Sequence, residues 1–242
     1  MPEGPSIYIL KEETQQFKNK KILRIEGNTK VDHTHLEGKK ILELKSWGKH
    51  FLLCFKNSFI RIHLLMFGSY RVNERRENPV RLSLRFKNGE LNFYTCSVKY
   101  LEEDVYSFYD WSVDPMSEDW DPDYVYKLVR SNPDRMICDV LMDQEIFSGV
   151  GNIIKNEVLF LTRVHPEKLV RELKPKKIKE IIKTSCSYCF DFLKWKRAFV
   201  LRKHWLIYKA KVCPECAGAV TLRHTGKGKR RTFFCERCQV LK

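Results

Sequence analysis

Two Cys-x-x-Cys pairs near one end of this 242-residue chain constrain its fold more than any other feature. They are Cys213-Pro-Glu-Cys216 and Cys235-Glu-Arg-Cys238, with 18 residues between them. Knuckles at that distance bring four thiolates tetrahedrally around one zinc ion, with a hairpin between them. Gly218, Gly226 and Gly228 suit the knuckle and hairpin turns, and Thr232-Phe-Phe234 suits the return strand. Protein fills all four positions around such an ion, so the spacing implies one structural Zn2+ with no open place for catalysis. The chain has nine cysteines, and without a secretory start they point to metal or burial and not to disulfides. Cys186-Ser-Tyr-Cys189 shares the local spacing. It falls, however, in a helical pattern of Ile178, Ile181, Ile182, Cys186, Cys189, Phe190 and Leu193, and reads as core packing. Cys54, Cys96 and Cys138 read as small core residues.

Charge is the second constraint. Lys and Arg number 45 against 30 Asp and Glu, a formal net charge of +15. The imbalance is uneven: Glu102–Asp123 holds nine carboxylates and no Lys or Arg, whereas the chain from Arg163 onward has 22 basic and 6 acidic residues. A basic face of this kind attracts phosphate backbones through counterion release. A solvated basic surface, an anionic membrane and an acidic protein partner are the alternatives on charge alone. With 43% hydrophobic residues the chain can bury a core, which excludes wholesale disorder. The longest apolar runs, such as Phe51–Phe55 and Leu64–Phe67, are far shorter than a membrane span. A soluble intracellular protein that meets a polyanion is expected.

Periodicity divides the chain. Residues 5–18 read as a helix after Pro2-Glu-Gly-Pro5. Short strand-like runs follow at Ile22–Glu26, Ile41–Trp47, His50–Phe55, Phe59–Leu65, Leu82–Phe86 and Leu91–Thr95, with a hairpin signal at Asn88-Gly89. Helical patterns then cover Asp123–Ser131, Met136–Asp143, Asn152–Leu161 and Lys176–Trp195. The expected fold is α+β. An N-terminal β-sandwich or barrel with a leading helix spans 1–109, a linker 110–122, a helical domain 123–210 and the zinc hairpin 211–242. Within the helical half, Gly149-Val-Gly-Asn152 opens a helix whose backbone N–H groups can hold a phosphate. On its own this pattern fits a helix C-cap turn equally well.

Taken together these residues resemble the formamidopyrimidine-DNA glycosylase and endonuclease VIII family. The resemblance is carried by Met1-Pro-Glu-Gly-Pro5, Gly48-Lys49 and His63-Leu-Leu-Met-Phe-Gly68. Farther on it rests on Val113–Asp121, Asp143-Gln…Gly149-Val-Gly-Asn152…Asn156-Glu157…His165-Pro166 and Arg230–Gln239. It implies a helix-two-turn-helix element in the helical domain and a catalytic role for the β domain. The implied enzyme is a bifunctional DNA glycosylase and abasic-site lyase acting on double-stranded DNA with oxidised bases or abasic sites. It would be a cytoplasmic, nucleoid-associated protein of bacterial type, and nothing in the sequence calls for more than a monomer.

The same resemblance assigns residues. Once Met1 is removed, the Pro2 amine attacks C1′ to form a Schiff base, with Glu3 as the proton-transferring acid and β,δ-elimination to follow. An α-amino group titrates at about 8, so part of it is nucleophilic near neutrality. Lys49 matches the lysine that holds a phosphate beside the lesion; a solvated turn lysine is the bland alternative. His63, Asn152, Arg230 and the adjacent Arg231 match DNA-binding positions. Leu65, Met66 and Phe67 match the side chains that fill the gap left by a flipped base, although Leu65 and Met66 also read as β core.

Four departures together favour the endonuclease VIII side and oxidised pyrimidines. Cys96-Ser-Val-Lys-Tyr-Leu101 replaces the Asp-Pro-Arg-Arg-Phe-Gly of the formamidopyrimidine branch. Cys138 stands where a lysine is usual, and residues 196–212 are too short for a full lesion-capping loop. Ser6 replaces a usual second glutamate. With the case of a retained Met1, it motivates a second reading: a non-catalytic binder of damaged DNA on the same scaffold.

Overall fold

The computed structural model describes residues 2–32 and 36–241. They fold as two compact units, Met1–Asp110 and Trp111–Lys242.

The first unit opens with helix α1 (Gly4–Glu13), whose first turn accepts Pro5 because an N–H there has no intrahelical partner anyway. Residues expected to extend this helix to 18 instead form a separate 3-10 turn, Gln15–Phe17, after Thr14 caps α1 with its hydroxyl on Leu10 O at 2.7 Å. Eight strands follow: β1 (Arg24–Glu26), β2 (Glu43–Trp47), β3 (His50–Phe55), β4 (Ser58–His63), β5 (Ser69–Val72), β6 (Leu82–Phe86), β7 (Gly89–Tyr94) and β8 (Ser97–Leu101). They form two antiparallel sheets in the orders β1-β6-β7-β5 and β2-β3-β4-β8. Phe51, Leu53, Ile60 and Ile62 from one sheet share a single buried core with Leu84, Leu91 and Phe93 from the other, and Ile7 and Leu10 bring α1 into it. The result is the expected sandwich.

Sequence periodicity missed β5 and β8, which lie at sheet edges and bury little. The β6–β7 hairpin turns at Lys87-Asn88, one residue earlier than the Asn-Gly signal suggested, and Gly89 begins β7. That position still requires glycine: φ is +143°, and a Cβ there would lie 1.9 Å from Asn73 Oδ1. A short helix α2 (Val105–Phe108), capped by Asp104, closes the unit.

The second unit starts where a linker was expected, with a 3-10 turn at Trp111–Val113, and Asp121 then caps α3 (Pro122–Arg130) by accepting from Asp123 N and Tyr124 N. Next come α4 (Ile137–Val140), α5 (Asn152–Leu161), α6 (Pro175–Arg197) and the hairpin β9 (Thr221–Thr225) and β10 (Arg230–Phe234). The helix expected over 136–143 is only one turn long. Asp143 ends it, drawing Ile146 N and Phe147 N onto its carbonyl in a reverse turn. In α6, Cys189 is buried as expected, but Phe190 is half exposed and Tyr188 occupies the core in its place. No helix among the described residues is long and apolar enough to cross a membrane.

Candidate functional site

In the first unit, Pro2 and Glu3 lie immediately before α1. Glu3 is extended (φ −119°, ψ 174°), its carbonyl accepts from Ser6 N at 2.8 Å, and its side chain is fully buried. Burying a carboxyl group costs free energy. One placed beside a candidate amine nucleophile is therefore a candidate proton carrier. Pro2 is half-buried, and Ser6 lies on the buried side of α1. Met1, whose removal the reading of Pro2 requires, is outside the described residues. Helix α1 packs on β2 and β3, the strands of the hairpin that carries Lys49.

Lys49 sits at the tip of the two-residue β2–β3 turn, where Gly48 takes φ +51°. Glycine with positive φ at the first turn position matches a type II′ hairpin with Lys49, half-buried, as its second residue. His50 follows, paired across the ladder with His63, and their rings meet edge to face at 5.4 Å. Tyr109 Oη and His50 Nδ1 share a hydrogen bond of 3.2 Å, and Trp47 stacks on the His50 ring and lies tilted against that of Tyr109. The fold thus brings Lys49 and His63 together.

Burial, reinforced by Arg61, His63 and Lys49, pushes His50 down to about 3. Burial and then Lys49 lower His63 as well. Because the folded state holds His50 neutral, its stabilisation is complete above the unfolded value of about 6.5 and is lost as pH falls toward 3. The unfolding free energy from urea titration is expected to decline across that window, by up to about 1.4 kcal/mol per pH unit from this group. A His50→Phe variant should show a flatter profile; an unchanged slope would remove His50 as the source.

The β4–β5 loop resolves the ambiguity over Leu65 and Met66. Strand β4 stops at His63, Leu65 adopts φ +54°, and Gly68 N closes the loop on Leu64 O at 2.7 Å. A Cβ on Gly68 would lie 2.1 Å from that carbonyl oxygen, so only glycine closes it. Leu65, Met66 and Phe67 are 48, 56 and 81% exposed. They are not core. Three consecutive apolar side chains held in solvent by a tight loop, one of them in a left-handed conformation costing about 1 kcal/mol or more, suit insertion into another molecule.

In the second unit, the start of α5 grips β10 at three points. Asn152 Nδ2 donates to Arg231 O at 2.8 Å, Lys155 Nζ to Thr232 Oγ1 at 2.7 Å, and Phe233 N to Asn156 Oδ1 at 2.7 Å. Residues nearly eighty positions apart are thereby held in register, with Arg230 and Arg231 exposed on the strand. Asn152 Oδ1 is buried without a hydrogen-bond partner among the described residues. An unsatisfied buried acceptor costs about 1–3 kcal/mol, and it leaves this amide incompletely committed to the fold.

The four sulfurs of Cys213, Cys216, Cys235 and Cys238 all lie within 4.8 Å of one another, with Cys213–Cys238 at 3.8 Å and Cys216–Cys235 at 3.5 Å. Thiolates arranged tetrahedrally at about 2.3 Å from a zinc ion would be roughly 3.8 Å apart, so the cluster fits one such ion.

The contacts of several supporting residues carried no signal in the sequence. Glu157, fully buried, accepts from Leu206 N, Ile207 N and Tyr208 N and so fixes the segment leading to the first knuckle; burial pushes its pKa up, against those three hydrogen bonds. Lys155 is 1% exposed inside an apolar helix, where periodicity gives no reason for an ammonium. Its partner Thr232 also bonds Thr225, which donates to Cys138. Asp139 accepts from Lys227 N beside Gly226, whose φ of +71° turns the hairpin tip; a Cβ there would lie 2.2 Å from Asp139 Oδ1. Such partners come together only on folding.

Comparison with known proteins gives a consistent picture. Residues 1–97 match the formamidopyrimidine-DNA glycosylase N-terminal domain, and residues 111–190 match the formamidopyrimidine-DNA glycosylase H2TH domain. Formamidopyrimidine-DNA glycosylase of Histophilus somni is 30% identical over 226 residues, covering 83% of this chain and 82% of that protein. Mouse endonuclease 8-like 3 is 32% identical over 206 residues, covering 81% of this chain but only 34% of that protein. The chain thus spans about a third of the length of the endonuclease 8-like 3 relatives it matches. Among solved structures, Lactococcus lactis formamidopyrimidine-DNA glycosylase, bound non-covalently to DNA containing an AP site, superposes with a TM-score of 0.85. It covers 98% of this chain and 99% of its own at 22% identity. A viral DNA glycosylase gives 0.82 at 22% identity, covering 98% of this chain and all of its own. At that identity these structures establish the fold alone.

Proposed function

Because the chain belongs to the formamidopyrimidine-DNA glycosylase and endonuclease VIII family, we propose that it is a bifunctional DNA repair glycosylase that excises oxidised bases and then cleaves the abasic site. The observation that carries this reading is Pro2 followed by a fully buried Glu3 at the start of α1. With Met1 gone, the Pro2 nitrogen attacks C1′, the glycosidic bond breaks and the base leaves with a proton. The sugar ring opens as Glu3 delivers a proton to O4′, giving an iminium. Loss of the C2′ proton then expels the 3′ phosphate, and a second elimination expels the 5′ phosphate. Lys49 and His63 bind the phosphates next to the lesion, and Leu65, Met66 and Phe67 occupy the space left by the extruded base. Asn152, Arg230 and Arg231 hold the backbone elsewhere on the duplex. The four cysteines hold a zinc ion that stabilises the hairpin and takes no part in the chemistry. The short 196–212 segment, pinned by Glu157, favours oxidised pyrimidines over purines requiring a capping loop.

Borohydride trapping on a duplex with an abasic site or oxidised pyrimidine, with mass mapping of the N-terminus, tests the proposal. An adduct on Pro2 supports it, and its absence in Met1-free protein that still binds the duplex overturns it. That second outcome is the signature of the alternative, a non-catalytic damage binder, which the buried Ser6 of α1 favours.

Two further outcomes are expected. Glu3→Gln should slow sugar-ring opening, and with it iminium trapping and strand incision, by about 10²–10⁴-fold, the usual worth of a positioned acid, with duplex affinity retained. Arg230→Ala with Arg231→Ala should weaken binding to damaged and undamaged duplexes alike and flatten the salt dependence by about two units of logarithmic slope. A defect confined to damaged DNA would contradict that role.

A further inference from the structure

Four side chains from four elements of the second unit meet in its interior. They are Lys155 of α5, Thr232 of β10, Thr225 of β9 and Cys138 of α4, none more than 4% exposed. Their hydrogen bonds run in one direction. Lys155 Nζ donates to Thr232 Oγ1 at 2.7 Å, and Thr225 Oγ1 donates to Cys138 Sγ at 3.6 Å. A hydroxyl has one proton, and that of Thr225 goes to the sulfur, so Thr232 is the donor in the 2.7 Å bond between the two threonines. Thr232 Oγ1 also lies 3.1 Å from Arg230 O, and its proton is shared with that carbonyl. An ammonium can only donate, which orients the whole chain of bonds from α5 through the hairpin to α4.

Stability alone would not select this arrangement. Burying an ammonium is costly, and apolar replacement of buried charged groups is often neutral or stabilising. What the network adds is direction: fully bonded, it specifies one arrangement of the elements it joins, where apolar contacts tolerate several. The hairpin needs that specification. Strands β9 and β10 form a two-stranded sheet with no third strand among the described residues. A slip of one residue would turn every side chain of β10 to the other face. Arg230 pairs with Thr225 in this ladder and stands two residues before Thr232, so the bonded side chains lie across from it and just along from it. Asp139, next to Cys138, accepts from Lys227 N and holds the hairpin tip on the other side. The anchors therefore surround Arg230 and Arg231, both exposed.

We infer that Lys155 is a positioning residue for DNA binding: its buried ammonium heads the hydrogen-bond chain that holds the hairpin in the one register presenting Arg230 and Arg231 to a duplex. The inference rests on the proposed role of those two arginines. Replacing the chain by apolar groups of similar shape, as Lys155→Met with Thr225→Val and Thr232→Val, removes both partners of each bond between them and is close to neutral for stability. In the full zinc-loaded chain this triple variant should keep its zinc and a Tm no lower than that of the wild type. Its affinity for an undamaged duplex should nevertheless fall by about tenfold, with a flatter salt dependence. Adding Arg230→Ala and Arg231→Ala to it should cause no further loss, because the two sets of changes remove the same contacts. Thr225→Val alone, which leaves Lys155 paired with Thr232, is the milder arm and should lower affinity by less at unchanged Tm. Duplex affinity and salt dependence equal to wild type in the triple variant overturn the inference. So does full additivity with the arginine changes, or a Tm lowered in both variants, since the network would then serve the interior and not the arginines. Failure of the underlying reading looks different: Arg230→Ala with Arg231→Ala would itself bind duplex like the wild type.

Discussion

Protein with a blocked Pro2 nitrogen, through retained Met1 or acetylation, is expected to lose strand incision by a factor on the order of 10⁴ or more while binding a tetrahydrofuran duplex as tightly as before. The reason is the lone pair. A free N-terminal proline titrates near the α-amino value of about 8, so roughly a quarter is neutral and nucleophilic at pH 7.5. Acylation delocalises the lone pair into an amide and removes it at every pH. Since Pro2 is half-buried and precedes α1, the added group perturbs little of the core that Ile7 and Leu10 build. Incision rates for matched samples with and without Met1, alongside borohydride trapping, decide the matter. Equal rates, with the adduct mapped to Lys49 or another lysine, would transfer the nucleophile's role away from Pro2.

Stripping the metal from Cys213, Cys216, Cys235 and Cys238 is expected to unfold the β9–β10 hairpin and to reduce affinity for all duplexes by at least about 10²-fold. Apparent binding energies of four-thiolate zinc sites reach about 10–16 kcal/mol, which is folding energy for so small an element. Its own apolar core is small, Phe160, Ile207 and Phe233 around Cys213 and Cys235. Loss of the hairpin releases Arg230 and Arg231 and also empties the three hydrogen bonds that the start of α5 makes to β10. A Cys216→Ser variant should behave like the chelated protein. The checks are metal content by mass spectrometry, circular dichroism and duplex titration on the same samples. Undiminished duplex affinity in verified metal-free protein would refute the dependence.

Much of this architecture is legible in residue order because the relevant physics is local. A zinc knuckle needs two cysteines three positions apart, a hairpin needs a glycine that can take positive φ, and a strand in a sandwich alternates over a few residues. The knuckle cysteines, the β3 and β6 runs and the α5 start were visible on those grounds, whereas Gly48-Lys49 was picked out only by the family resemblance. Boundaries were harder to read where a tertiary contact outweighs the local pattern. Leu65 continues an apolar run yet leaves the sheet, because Gly68 closes a loop no other residue fits. Edge strands β5 and β8 bury too little to impose a pattern.

The sequence by itself determined the spacing of the four C-terminal cysteines and the uneven excess of basic residues, both read from residue type and short spacing; the Pro2-Glu3 pair drew its meaning from the family resemblance. Only the tertiary structure decided that Glu3 is buried, that His50 and His63 meet beside Lys49, that Asn152 and Lys155 secure the strand bearing Arg230, and that Phe67 points into solvent. Those facts depend on partners tens of residues away, and on which face of a strand or helix the rest of the chain covers, a long-range result that no window of sequence contains.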